Sequence, residues 1–271
     1  MNENLDIFVV ANSDFKKKPK NTCYKIVSFE NFDAHSNLEH IICDATKDKI
    51  FEKEHGYSEL ARIHYIWKNY PLKDYVGTAH YRRYFDFWND IPNMDEVFKD
   101  YDAILPIFNL GWSSVYGNYS CCHSKKDIVT VMEIIARYYP DFFESAIDTM
   151  VFDKFYPCNI FILKKETFNE WCEFVFGVLE KFDKIRGFNT DSDIKNHIIE
   201  NKEKYITCET GQNSSIDYQA RIEAFLSERL STIFFTKKIK NPLMIKMALT
   251  EVHCEYEREY YNYREDLEWK L

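Results

Sequence analysis

No stretch of the sequence approaches the roughly 18 uninterrupted apolar residues of a transmembrane helix, so no membrane span is expected. No secretion signal is expected either. The opening MNENLDIFVVANSDF carries acidic and amide residues where a signal peptide carries Lys or Arg, and its apolar run is too short. The eight cysteines show no CxxC pair and no ladder of regular spacings. Adjacent Cys121 and Cys122 do not suit a shared tetrahedral metal site, so a reduced cytosolic protein is expected. There is no basic excess: the net charge of −9 argues against a nucleic-acid partner, while leaving a local basic patch open. No internal repeat is visible.

What the chain does have is length and apolar content. Its 271 residues suit one large domain, or a core with an appendage, and 45% hydrophobic residues can fill a sizeable core. Nineteen Tyr and 22 Phe are read mainly as core, although a Tyr ring also packs against sugar C–H faces. Residues 6–11 (DIFVVA), 24–29 (YKIVSF), 75–79 (YVGTA), 101–106 (YDAILP) and 156–164 (YPCNIFILK) read as strands. Helices are predicted over 55–69, with Ser58 as cap, and over 94–99, 127–138, 166–182 and 222–235. Residues 31–48 read as loop-rich, 107–122 as a long loop over a site, and 183–215 as polar without clear period. Alternating strands and helices predict an α/β sandwich with a mostly parallel sheet, whose ligand sits at the strand carboxyl ends.

The segment DYVGTAHYRRYF (74–85) places His80, Arg82 and Arg83 just past a buried strand. A guanidinium fork matches phosphate oxygens, and a departing nucleoside diphosphate needs such cations as charge builds. The same residues also read as a solvated basic turn with ordinary ion pairs. Glu59 falls in a first helical turn, where the helix dipole alone accounts for it. Glu228 beside Arg229 reads as an ion pair or as a base with its holder. His123 and Asp127 stand four apart near a helix start, a spacing that can bind metal, but two ligands are weak evidence. The only DxD-like triplet, Asp191-Ser192-Asp193, lacks a preceding apolar strand and reads as a loop or helix cap. Cations at the strand end can take over a metal's role, so no metal is expected, with Mg2+ or Mn2+ the alternative.

These segments, with SELARIHYIWKN (58–69), NIFILKKETFNEWCEFVF (159–176) and AFLSERL (224–230), resemble the DUF4422 family of bacterial capsular and exopolysaccharide biosynthesis proteins, regarded as glycosyltransferases. The matching segments keep the family's order over about residues 5–236. The resemblance implies a GT-A-like fold and sugar transfer from a nucleotide-sugar donor, first a UDP-hexose or UDP-galactofuranose. The acceptor it implies is a growing surface polysaccharide, such as capsule, exopolysaccharide or the O-antigen of lipopolysaccharide, or a lipid-linked glycan. It places Ala11 and Asn12 beside the nucleotide and Glu59 on the donor. His80, Arg82 and Arg83 face the diphosphate or transferred sugar, His123 and Asp127 line the acceptor side, and Asn159 ends the cleft. Glu228 is the candidate base, held by Arg229. One departure stands out: Asn12 and Ser13 occupy the place of the family's usual His-Lys pair, so base or ribose recognition differs.

The expected organisation is a GT-A-like domain over 1–236 and a helical tail over 237–271. Residues 234–249 (FFTKKIKNPLMIKMAL) mix Lys with apolar residues and read either as a basic segment lying on the inner face of the cytoplasmic membrane, or as a helix packed on the core. Two other functions fit the sequence: a non-catalytic sugar- or nucleotide-binding assembly protein, and a phosphotransferase acting on surface glycans.

Overall fold

A computed structural model describes residues 3–12, 15, 19–31, 37–87, 90–106, 109–111, 113–206 and 215–249. Among these residues nine strands form one sheet: β1 (Leu5–Val10), β2 (Tyr24–Ser28), β3 (Glu39–Ile42), β4 (Tyr75–His80), β5 (Arg83–Phe85), β6 (Ala103–Pro106), β7 (Phe161–Lys164), β8 (Pro242–Ile245) and β9 (Met247–Leu249). The main path runs β3-β2-β1-β4-β7-β6-β8, with β5 and β9 branching from β4. Along that path only β7 runs against the others, so the sheet is mostly parallel, as expected.

β1 shows why the sheet lies in the middle. Every residue of LDIFVV is buried. Leu5, Ile7 and Val9 join one core, with Tyr24, Ile26 and Ile162. Phe8 and Val10 point the other way, into the larger core with Val27, Val76 and Leu163. That larger core is built by helices Glu59–Asn69, Lys125–Tyr138, Phe143–Val151, Lys165–Arg186 and Ile222–Lys238. Trp171 is fully buried there, and its indole N–H donates to Ser231 Oγ at 3.0 Å, tying two of those helices together. No disulfide joins any described cysteine.

Three expectations change. Residues 242–249, placed in a helical tail, instead form β8 beside β6 and β9 beside β5. Pro242 starts β8, where a missing N–H is tolerated, and the one lysine of this stretch, Lys246, stands exposed between the two strands. The core-packed helix read over this stretch therefore stops at Lys238, and residues 250–271 lie outside the described residues. The long loop contains a helix, Val115–Cys122, capped by the Ser114 hydroxyl accepting from Gly117 N at 3.0 Å. The polar stretch after 183 holds helix Asp191–Glu200, started by a capping box of Thr190 and Asp193.

No helix among the described residues is long and apolar enough to cross a membrane.

Candidate active site

β1 and β4 end side by side, with Val10 opposite His80. The chain then reverses tightly, because His80 pairs with Arg83 at the start of β5. Tyr81 and Arg82 form the turn, and Tyr81 N donates to Val10 O at 3.2 Å. This turn separates the two arginines. Arg83 enters the sheet, while Arg82 lines a cavity of about 470 Å3 together with Asn12, His55, Ser58, Tyr218 and Arg221. The Arg82 guanidinium lies 5.1 Å from the Tyr81 ring, and its buried Nε has no hydrogen-bond partner among the described residues. Ala11 is buried at the end of β1, with its N–H on Val27 O at 3.0 Å, and Asn12 stands exposed at the mouth.

His80 sits in a cationic field. Burial, and then the charges of Arg83, Arg82 and Arg221, push its pKa down to about 3, so the ring is neutral at physiological pH. Its Nδ1 accepts from Arg82 N at 3.2 Å, which leaves Nε2 to carry the proton and to donate. Arg221, just before helix Ile222–Lys238, reaches Ser58 Oγ at 3.2 Å and stands 4.0 Å from Glu59. Nothing local in the sequence distinguishes Arg221. Arg62 also lines the cavity; it is buried, bonded to Ser58 O at 3.2 Å and Glu54 at 3.0 Å.

Ser58 is not the side-chain cap it was expected to be. Its backbone is left-handed (φ 51°), with no side-chain cap bond, and it joins the short helix Glu54–Tyr57 to Glu59–Asn69. The other two non-glycine residues with positive φ among those described are Cys158 (63°) and Asn159 (49°). All three meet around Glu59, a clustering of backbone strain typical of functional sites.

Asn159 is the hub of this place. Its Nδ2 donates to Glu59 at 3.1 Å and to Ser227 Oγ at 2.9 Å, while its Oδ1 accepts from Ser231 at 2.7 Å. Thr78 holds its carbonyl from β4. Every side-chain group of Asn159 is thus engaged with protein. Cys158 N donates to Glu228 at 2.7 Å, so one irregular turn fixes both carboxylates. Burial, and then the neighbouring Glu228 charge, raise the pKa of Glu59, and Arg221 opposes them. Arg229 does hold Glu228, at 2.8 Å; it also binds Asn118 at 2.6 Å and packs on Tyr119 and Phe155. Arg229 is almost fully buried and does not line the cavity.

His123 and Asp127 are not brought together. His123 is buried, stacked on Phe225 (4.1 Å) behind the cavity residue Tyr218, and bonded to Gln219 at 3.0 Å. Asp127 is fully buried elsewhere, bonded by Arg186 at 2.8 Å and by Tyr205 at 3.1 Å. The carboxylates of the Asp191-Ser192-Asp193 triplet cap backbone. Asp191 takes the N–H groups of His55 and Gly56, and Asp193 those of Asn189 and Thr190. Among the described residues no group of three or more His, Cys, Asp or Glu is arranged to hold a metal.

Residues 6–199 match a family model described as "Domain of unknown function (DUF4422)". No curated protein matches. Among solved structures, the chain is similar to that described as "WbbM bifunctional glycosyltransferase apo structure", with a TM-score of 0.65 and 18% identity. The match covers 92% of this chain and 46% of that one, so this chain spans about half the length of that protein. The likeness establishes a shared GT-A-like fold.

Proposed function

The chain belongs to the DUF4422 family, and from that premise we propose that it is a glycosyltransferase whose donor, a nucleotide sugar, binds in the cavity at the ends of β1 and β4. The observation that carries this reading is Arg82: a guanidinium on the cavity wall at the strand carboxyl ends, with a buried Nε lacking a partner among the described residues and Arg221 lining the same cavity. Two forked cations there suit a diphosphate. Asn12 stands where the nucleotide enters. His80, neutral and donating through Nε2, adds a hydrogen bond to the developing negative charge. The donor class favoured is a UDP-hexose or UDP-galactofuranose, and the acceptor a surface polysaccharide or lipid-linked glycan.

Acid–base capacity is assigned to the Glu59–Glu228 pair. Burial, and then the Glu228 charge, raise the pKa of Glu59, the direction that makes it the stronger proton acceptor when ionised. Asn159 and Arg229 position the pair and do not touch substrate. Charge on the leaving diphosphate is assigned to Arg82 and Arg221, since the acidic triplet is spent on helix starts.

The test is release of UDP from a panel of UDP-sugars. Arg82→Ala is expected to lower turnover by about 100- to 1,000-fold, the cost of removing one transition-state donor. Turnover unchanged in Arg82→Ala sinks the assignment, and tight binding without turnover in the wild type leaves a binding module instead.

A further inference from the structure

A second and larger depression lies on the other side of the Lys53–Ser58 segment. Glu54, His55 and Ser58 face the donor cavity, whereas Lys53 and Tyr57 line a groove of about 880 Å3 bounded by helices Glu59–Asn69 and Lys165–Arg186. Its volume falls within the roughly 300–1,000 Å3 of small-molecule sites.

We propose that this groove is a saccharide-binding site separate from the donor cavity, taking a neutral stretch of oligosaccharide. The proposal rests on the reading of the protein as one that handles glycans. Its first support is a rigid aromatic platform. Trp67 is half-buried and stacks parallel to buried Phe176, with centroids 5.8 Å apart and planes at 10°. His64 braces both rings edge-on, at 5.5 Å and 4.6 Å. The ammonium of exposed Lys68 lies 3.3 Å from the Trp67 ring centre. A surface cation–π contact of that kind contributes only about 0.5–1 kcal/mol, so an incoming sugar displaces it readily. The negative face of the indole then meets polarised sugar C–H groups.

The second support is the polar lining. Lys53–Asp183 and Lys184–Glu180 form ion pairs along the walls, and His64 is hydrogen-bonded to Asp48. The remaining charged lining residues are two of each sign, Lys49 and Lys68 against Glu52 and Glu173. A polyanion or nucleotide would meet as many carboxylates as cations. A wholly apolar ligand would strand the charges. Hydroxyl groups, which both donate and accept, fit a wall of interleaved donors and acceptors.

The experiment is calorimetric titration of the full chain with linear gluco-, manno- and galacto-oligosaccharides. At least one is expected to bind saturably, and Trp67→Ala to weaken it at least about tenfold, as for a central Trp anchor. Trp67→Phe, which keeps the stack on Phe176 with a smaller face, is expected to weaken it less and covers the case in which the alanine variant fails to fold. Arg82→Ala is expected to leave this binding unchanged, and Trp67→Ala to leave UDP release from donor alone unchanged. Absence of binding to every saccharide, equal affinity in the Trp67 variants, or loss of binding in Arg82→Ala overturns the proposal. Saccharide binding through Trp67 in a protein that releases no UDP upholds the groove and removes the donor reading alone.

Discussion

Replacing Asn159 should unsettle both candidate carboxylates at once, and the cost follows from its hydrogen bonds. Asn159→Ala deletes the bonds to Glu59, Ser227 and Ser231. Ser227 keeps its own donation to the Ala224 carbonyl, at 2.7 Å. Two groups are stranded: a Glu59 oxygen, and the Ser231 hydroxyl proton, although Ser231 still accepts from Trp171. At about 1–3 kcal/mol for each stranded group, the loss is about 2–6 kcal/mol. The left-handed backbone (φ 49°) adds about 1 kcal/mol for alanine. The sum, about 3–7 kcal/mol, is a large part of the roughly 5–15 kcal/mol of a typical domain. Asn159→Gly removes the backbone part alone and should recover about 1 kcal/mol. Asn159→Asp keeps the acceptor for Ser231 but sets a second carboxylate against Glu59, whose pKa is already raised. Its deficit should shrink as pH falls, because one of the two acids then takes a proton and donates it to the other. Urea unfolding followed by tryptophan fluorescence, with an unchanged m-value, reads these differences. An Asn159→Ala variant within about 1 kcal/mol of wild type, or an Asn159→Asp deficit that grows on acidification, refutes the reasoning.

Two further outcomes are expected. Glu223 is fully buried, and burial, then the Asp183 charge, hold its pKa well above the ordinary 4.5. The folded state therefore binds more protons than the unfolded one above pH 4.5, so this group costs stability as pH rises toward its folded value. Glu223→Gln, isosteric with the protonated acid, should be as stable as wild type at low pH and more stable at high pH; thermal melts across pH check it, and a variant that loses ground as pH rises contradicts it. Chelation by EDTA should leave UDP release intact, since the diphosphate charge is assigned to Arg82 and Arg221, and loss of turnover restored by Mg2+ or Mn2+ contradicts that assignment.

How much was legible in the sequence depended on where each signal resides. β1, β4 and β6 are buried on both faces, so their runs read as strands without help. HYRRYF at the end of β4 marked the cavity edge, because a strand end followed by cations is a local pattern. β8 and β9 were hidden, since runs of four and three residues are too short to show a period of two. β3 was hidden by its length, four residues of which none is buried. Helix Val115–Cys122 depends on its Ser114 cap, against a Gly-, Ser- and Tyr-rich composition of poor propensity. His123 and Asp127 shared a spacing but not a helix: His123 ends one helix and Asp127 lies in the first turn of the next, so the intervening turn sends them apart. Arg221 carries no local signal. Only the docking of helix Ile222–Lys238 beside Ser58 and Glu59 brings it to the cavity.

A crystal structure of the protein soaked with UDP tests the donor assignment most directly. The account predicts both phosphates within hydrogen-bond reach of Arg82 and Arg221, beside Asn12 at the ends of β1 and β4. Nucleotide seated instead in the groove beside Trp67, or anywhere that leaves those two guanidinium groups without it, contradicts the account.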